Sequence, residues 1–143
     1  MAPDRPRPSS LQRFGLARDR LNAALGREIG LSRSDLYALE LLEASGPLTA
    51  SQLAAALRLT SGATTTLIDR LEAAGWVERT VNPDDRRSVI VRLTDSAAAT
   101  GRALVGAYER EIRRAYDALS ARDRRAVDRF LEDVAQIADS HAS

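Results

Sequence analysis

Apolar residues recur along this chain at two different spacings, and the change of spacing divides it. From Ser10 to about Leu25, Leu11, Phe14, Ala17, Leu21, Ala24 and Leu25 repeat at the interval of an amphipathic helix, with Gly26 and Gly30 bracketing its end. A second helix opens at Leu31–Leu36. Ser32 and Asp35 have capping-box spacing there, Leu31 and Leu36 fit a hydrophobic staple, and Ser45-Gly46-Pro47 stops the helix. A third helix, Thr49 to Leu57, repeats the device with Thr49 and Gln52 as box and Leu48 and Leu53 as staple. Arg58-Leu59 is the turn. Thr60 then caps a fourth helix that runs to about Ala74 and ends at Gly75, with Thr64, Leu67, Ile68 and Leu71 on its inner face.

Next the pattern changes. Trp76–Val81 and Ser88–Leu93 are rich in strand formers, and Asn82-Pro83-Asp84-Asp85-Arg86-Arg87 between them is a turn too long for the tightest hairpin. Helical spacing returns from Thr94 to Leu119, with Leu104, Val105, Tyr108, Ile112, Ala115, Tyr116 and Leu119 as its stripe. A last helix, capped by Ser120 and Asp123, carries Val127, Phe130, Leu131, Val134, Ile137 and Ala138 on one side. The predicted fold is mainly α with a small β-hairpin wing. Residues 31–94 form a winged helix-turn-helix, residues 10–30 and 95–143 a helical region, and residues 1–9, with three prolines, a flexible arm.

Composition narrows the chemistry. A hydrophobic fraction of 44% over 143 residues suffices for a core. No apolar run approaches the roughly 20 residues of a membrane helix, and the polar, Pro-rich start is no secretory signal, so a cytoplasmic, nucleoid-associated protein without a membrane partner is expected. There is no cysteine and one histidine, His141, which removes disulfides, thiol chemistry and Cys- or His-rich metal sites within one chain. The acids sit beside arginines on helix faces, and no nucleophile–base pair, phosphate loop or metal constellation is present. Neither an enzyme nor a cofactor is expected. Net charge is only +1, and all 21 basic residues are arginine. Residues 1–30 have six arginines against three acids, and residues from 95 onward have eight against nine, so positive charge leans toward the N-terminus.

The stretch that can meet a partner is the fourth helix and the hairpin. In a helix-turn-helix the second helix enters the DNA major groove with its N-terminal residues at base edges. Here those residues are Thr60, Ser61, Gly62, Ala63, Thr65 and Thr66. Their hydroxyls suit bases or phosphate, their methyls suit thymine, and Gly62 suits close backbone approach. A helix that merely starts with small polar residues would look the same. At the hairpin tip, Arg86 or Arg87 can enter the narrow minor groove, while Asp84 or Asp85 holds the other arginine and fixes the loop. An ordinary solvated turn would carry the same charges. Arg70, beside Asp69 and Glu72, fits a phosphate contact and a surface ion pair equally well. Trp76 reads as core.

The run L-T-S-G-A-T-T-T-L-I-D-R-L-E-A-A-G-W-V-E-R, followed by N-P-D-D-R-R-S-V-I-V-R-L-T, resembles the multiple-antibiotic-resistance regulator (MarR) family. Asp69–Arg79 and the Asp84–Arg87 wing carry the resemblance most strongly, and the helix order extends it over residues 10 to 140. It implies a homodimer whose first and last helices interlock through Leu11, Phe14, Val127, Phe130, Leu131, Val134 and Ile137. Independently of the family, apolar stripes at both chain ends need a partner surface. Such a dimer would bind a near-palindromic double-stranded operator with half-sites about one helical turn apart. Two departures stand out. Thr66 occupies a position that often carries a basic residue in the family, which shifts weight to the wing and phosphates. Ala97 and its neighbours replace a glycine usual after the wing.

The resemblance also implies release of DNA by a small aromatic or phenolic effector, for which Tyr37 and Tyr108 are the candidates beside ordinary core or surface roles. Absence of cysteine removes an oxidant-sensing version. The expected function is a dimeric, sequence-specific transcriptional regulator, most often a repressor. The alternative is a winged-helix protein-interaction module without DNA binding, which the weak net charge and threonine-rich helix would suit.

Overall fold

The computed structural model describes residues 9–141. The elements are α1 (Ser10–Ile29), α2 (Arg33–Ser45), β1 (Leu48–Thr49), α3 (Ala50–Leu57), α4 (Ser61–Ala73), β2 (Val77–Val81), β3 (Val89–Leu93), α5 (Asp95–Asp117) and α6 (Ala121–His141). The arm expected over residues 1–9 lies outside the described residues except for Ser9, which caps α1. Two compact units are formed, one up to Thr100 and one from Gly101 onward, and α5 runs through the division.

The predicted caps are present. Ser32 with Asp35 and Thr49 with Gln52 form reciprocal boxes at α2 and α3, and the Thr60 hydroxyl accepts from the Ala63 amide at α4. Each satisfies helix-end N–H groups that would otherwise lack an acceptor, typically a contribution of about 1 kcal/mol. Gly46 and Gly75 take positive φ just past α2 and α4. At the turn after α3 the same left-handed conformation falls to Arg58, at a cost of roughly 1–2 kcal/mol for a residue with a Cβ.

Two expectations need correction. First, α1 does not stop near Leu25 but continues to Ile29, with Gly26 buried inside it and Gly30 as its left-handed cap. Gly26 serves packing instead of termination: a Cβ there would lie 2.7 Å from the Leu31 carbonyl oxygen and 3.0 Å from Leu36 Cδ1. The Gly26 carbonyl accepts from both Gly30 and Leu31 N–H, which folds the chain back toward α2. Second, the hairpin has a third strand. Leu48 and Thr49 pair antiparallel with Val91 and Ile90, giving the order β1-β3-β2. A two-residue strand has no alternation to detect. It matters because β3 becomes the central strand, and Val91 is fully buried beneath it.

The core of the first unit comprises Ala38, Leu42, Leu53, Leu67, Ile68, Leu71, Val77 and Val91, with Leu48, Leu57 and Trp76 packed against it. All four residues expected on the inner face of α4 are buried. Each large aliphatic side chain so removed from water stabilises the fold by about 1.5–3 kcal/mol before entropy. In the second unit, α6 buries no residue fully. The Tyr116 hydroxyl donates to both Asp128 oxygens at 2.8 and 2.9 Å, and the Arg124 guanidinium lies 5.9 Å from the Tyr116 ring centroid. No described helix is long and apolar enough to cross a membrane.

Gly26→Ala should lower stability by about 1–3 kcal/mol, because a backbone carbonyl must move. Gly15→Ala, in the same helix but with nothing within 4 Å of its Cβ position, should raise it by about 0.5–1 kcal/mol. Urea unfolding of the two variants tests this, and equal effects would mean that the close approach at Gly26 is absent.

Candidate nucleic-acid interface

Helix α4 divides its residues sharply. Thr64, Leu67, Ile68 and Leu71 are buried, whereas Ser61, Gly62, Ala63, Thr65 and Thr66 are exposed on its first turns. Nothing lies within 4 Å of a Cβ built on Gly62, so no contact inside the chain requires glycine there. Helix polarity concentrates partial positive charge and spare N–H groups at this end.

Two ion-pair systems fix the helix laterally. Asp35, at the start of α2, is only 2% exposed. Its carboxylate accepts from Arg70 Nη2 at 2.5 Å and from the Ser32 amide and hydroxyl at 3.0 and 2.7 Å. Burial alone would push the Asp35 carboxyl up, but hydrogen bonds from Arg70 and Ser32 outweigh it and hold the carboxyl below its ordinary range. Asp69 and Glu72, expected beside Arg70, instead grip Arg79 on β2. Arg79 Nη2 meets Asp69 at 2.5 Å, Nη1 pairs with Glu72, and its amide donates to Glu72 at 3.1 Å. Thus Arg70 joins α4 to α2, and Arg79 joins α4 to the base of the wing. Asp35 and Arg79 were not among the predicted site residues. The D-R-L-E-x-x-G-x-V-x-R spacing contained the second pair, but only the fold brings Asp35 to Arg70.

The wing also departs from expectation. Among the described residues, neither Asp84 nor Asp85 holds a guanidinium. Asp85 Oδ1 accepts the Arg87 backbone N–H at 3.0 Å, and the Asp84 carboxylate makes no hydrogen bond or ion pair among the described residues. Asn82 and Ser88, not among the predicted site residues, brace the loop together with Asp85. Asn82 Oδ1 accepts the Asp84 N–H at 3.0 Å, Asn82 Nδ2 donates to Ser88 Oγ at 2.8 Å, and the Asp85 carbonyl accepts the Ser88 N–H and hydroxyl at 2.9 and 3.0 Å. Short polar side chains bonding to nearby backbone are the usual means of ordering a turn. Arg86 and Arg87 are exposed and, among the described residues, have no carboxylate partner.

The sequence model of the MarR family matches residues 31–89, from the start of α2 through the wing. Over this segment, the winged helix, the chain matches the MarR family. The uncharacterized HTH-type transcriptional regulator YcgE of Bacillus subtilis is 41% identical over 68 residues, 48% of this chain and 44% of YcgE, so the chain spans less than half of that relative's length. Among solved structures, the transcriptional regulator Tm0710 of Thermotoga maritima superposes with a TM-score of 0.64 at 20% identity, over 92% of each chain, and shares the fold. A mutant MarR of Escherichia coli, solved in complex with operator DNA, is 28% identical over 87% of this chain and 89% of that chain, with a TM-score of 0.57. The family model therefore covers the MarR-type winged helix, while the flanking helices are matched through whole-chain structural likeness.

The other predicted positions are not on α4 or the wing. Tyr37 is half-exposed on α2 in the first unit, and Tyr108 is exposed on α5 in the second. A groove of about 590 Å³ between the end of α1 and the start of α2 is lined by Asn22, Gly26, Ser32, Arg33 and Leu36, and by neither tyrosine. Leu11, Phe14, Phe130, Leu131 and Ile137 are exposed, and Val127 and Val134 are partly buried.

Asp35→Asn should make unfolding less sensitive to acid. The lowered carboxyl contributes stability that is complete above its unfolded value, about pH 4, and that disappears as pH falls through the lower folded value. Chemical unfolding at pH 7 and pH 3 should show a smaller pH difference for the variant, and an unchanged difference would exclude the Asp35–Arg70 pair as an acid-labile tie.

Proposed function

We propose that this chain is a homodimeric, sequence-specific DNA-binding transcriptional regulator. The observation that carries the reading is the wing: two exposed arginines, without carboxylate partners among the described residues, stand on a loop ordered by Asn82, Asp85 and Ser88. That loop needs no Arg–Asp pair to hold its shape, so its cations are available to an anionic partner. The operator DNA in the structure of the E. coli relative supports the same partner. Residues 31–94 serve as the DNA-binding part, with Thr60, Ser61, Gly62, Ala63, Thr65 and Thr66 facing the major groove and Arg86 or Arg87 the minor groove. Arg70 contributes mainly by holding α4 through Asp35.

Residues 10–30 and 95–143 provide the pairing surface. Phe14, Phe130 and Ile137 are 47%, 53% and 58% exposed. Large apolar side chains at helical spacing on α1 and α6 are suited to burial by a second copy. The two copies would then meet a near-palindrome. Repression relieved by a small aromatic or phenolic effector near Tyr37 or Tyr108 completes the reading, with the protein acting at the nucleoid.

Binding to the DNA upstream of its own gene should fall for Arg86→Ala or Arg87→Ala. The variant that loses a phosphate contact should also lose about one unit of the log–log salt slope. Unchanged affinity in both variants would remove the wing from the mechanism. Phe130→Asp should shift sedimentation from dimer to monomer and weaken DNA binding at least tenfold. A variant that stays dimeric would place the interface elsewhere.

A further inference from the structure

We infer that Thr65 and Thr66 make this helix a reader of thymine methyl groups, selecting A·T pairs and disfavouring guanine at the positions they face. The inference rests on the DNA-binding reading above and concerns which bases that same surface accepts.

Three consecutive threonines on α4 turn their hydroxyls back into the helix. Thr64, Thr65 and Thr66 Oγ1 donate to the carbonyls of Thr60, Ser61 and Gly62 at 2.9, 2.9 and 3.1 Å. Thr64 is buried, but Thr65 and Thr66 are exposed. A hydroxyl has one hydrogen to give. Once it is committed to a carbonyl, each exposed threonine offers a partner a γ-methyl and an acceptor oxygen, and no donor. Redirecting the hydrogen to a base would exchange one hydrogen bond for another with little net gain.

Major-groove edges differ in what they require. Guanine shows two acceptors, N7 and O6, and needs donors. Thymine shows a methyl beside one acceptor, and adenine shows an amino donor. An A·T pair therefore presents a methyl for the threonine methyl and an N–H for its oxygen. A G·C pair would leave guanine acceptors desolvated without a donor. No other side chain of α4 repairs that loss. Its first basic residue is Arg70, which is tied to Asp35. Ala63 adds one more exposed methyl. The Ser61 hydroxyl donates to no acceptor among the described residues and keeps its hydrogen for a phosphate or another base, so the restriction applies to Thr65 and Thr66.

The test starts from duplexes enriched by the full-length protein from a random pool. The bound half-sites should carry A·T pairs opposite α4. Replacing thymine by deoxyuridine one position at a time should cost about three- to fivefold at each thymine whose methyl is buried by the helix. Thr66→Val keeps the γ-methyl and puts a second methyl in place of the hydroxyl, so the deoxyuridine penalty should persist, while loss of the acceptor oxygen lowers affinity by no more than about tenfold. In Thr66→Ala, or in the matching Thr65→Ala, the penalty should largely vanish. Guanine enriched opposite α4, deoxyuridine without effect at every position, or rescue by Thr66→Ser but not by Thr66→Val would each overturn the inference while leaving DNA binding intact. A protein that enriches no duplex overturns the DNA-binding reading and this inference with it.

Discussion

A carboxylate as buried as Asp35 has to be satisfied from several directions, and the way it is satisfied organises the winged helix. Three donors converge on it, two from Ser32 in its own capping box and one from Arg70 on α4. Unpaired, a charge in that position would cost several kcal/mol. Paired, it makes the start of α2 and the middle of α4 one mechanical piece. The apolar contacts of Leu67, Ile68 and Leu71 supply most of the attraction between these elements. Hydrophobic burial is non-directional, however. The ion pair contributes what burial lacks, a preferred rotation of α4 about its axis.

The same helix is tied on its other side by Arg79, which receives both Asp69 and Glu72. One element thus supplies a cation to the helix behind it and two anions to the strand beside it. The consequence for the wing is direct. With β2 held to α4 by Arg79, and β3 held between β2 and β1, the loop at 82–88 extends from a fixed base. Its own hydrogen bonds order the tip, and Arg86 and Arg87 are therefore displayed instead of consumed.

Local periodicity and capping chemistry were legible in the sequence because each is written within about ten residues. The inner face of α4, the boxes at Ser32 and Thr49, and the position of the wing all follow from such short patterns. Interactions that close over longer separations were not. Asp35 reads as an ordinary N3 capping acid, and nothing in its neighbourhood announces Arg70, 35 residues away. Gly26 reads as a helix stop, because the Leu31 carbonyl that demands its missing Cβ is placed only by the turn after α1. The wing misled for a different reason. Asp-Asp-Arg-Arg suggests pairing of opposite charges, but exposed ion pairs gain little over hydration, whereas backbone N–H groups in a tight loop need acceptors. Asp85 goes where the larger deficit lies.

These constraints separate two tasks that a basic recognition helix would combine. Arginine on such a helix attracts phosphate and reads guanine with the same side chain. Here the exposed first turns of α4 carry hydroxyl, methyl and glycine, and its one arginine, Arg70, is paired with Asp35. On the DNA-binding reading proposed above, long-range attraction falls to the wing, where the displayed charge is, and that part of the affinity is screened by salt. Contacts between methyl groups are not screened, and they vanish with a shift of an ångström or so. A surface of that kind discriminates only if its helix is held at a fixed angle and depth. The two ion-pair systems on either side of α4 meet that requirement, so the chemistry of its outward face depends on the electrostatics of its flanks.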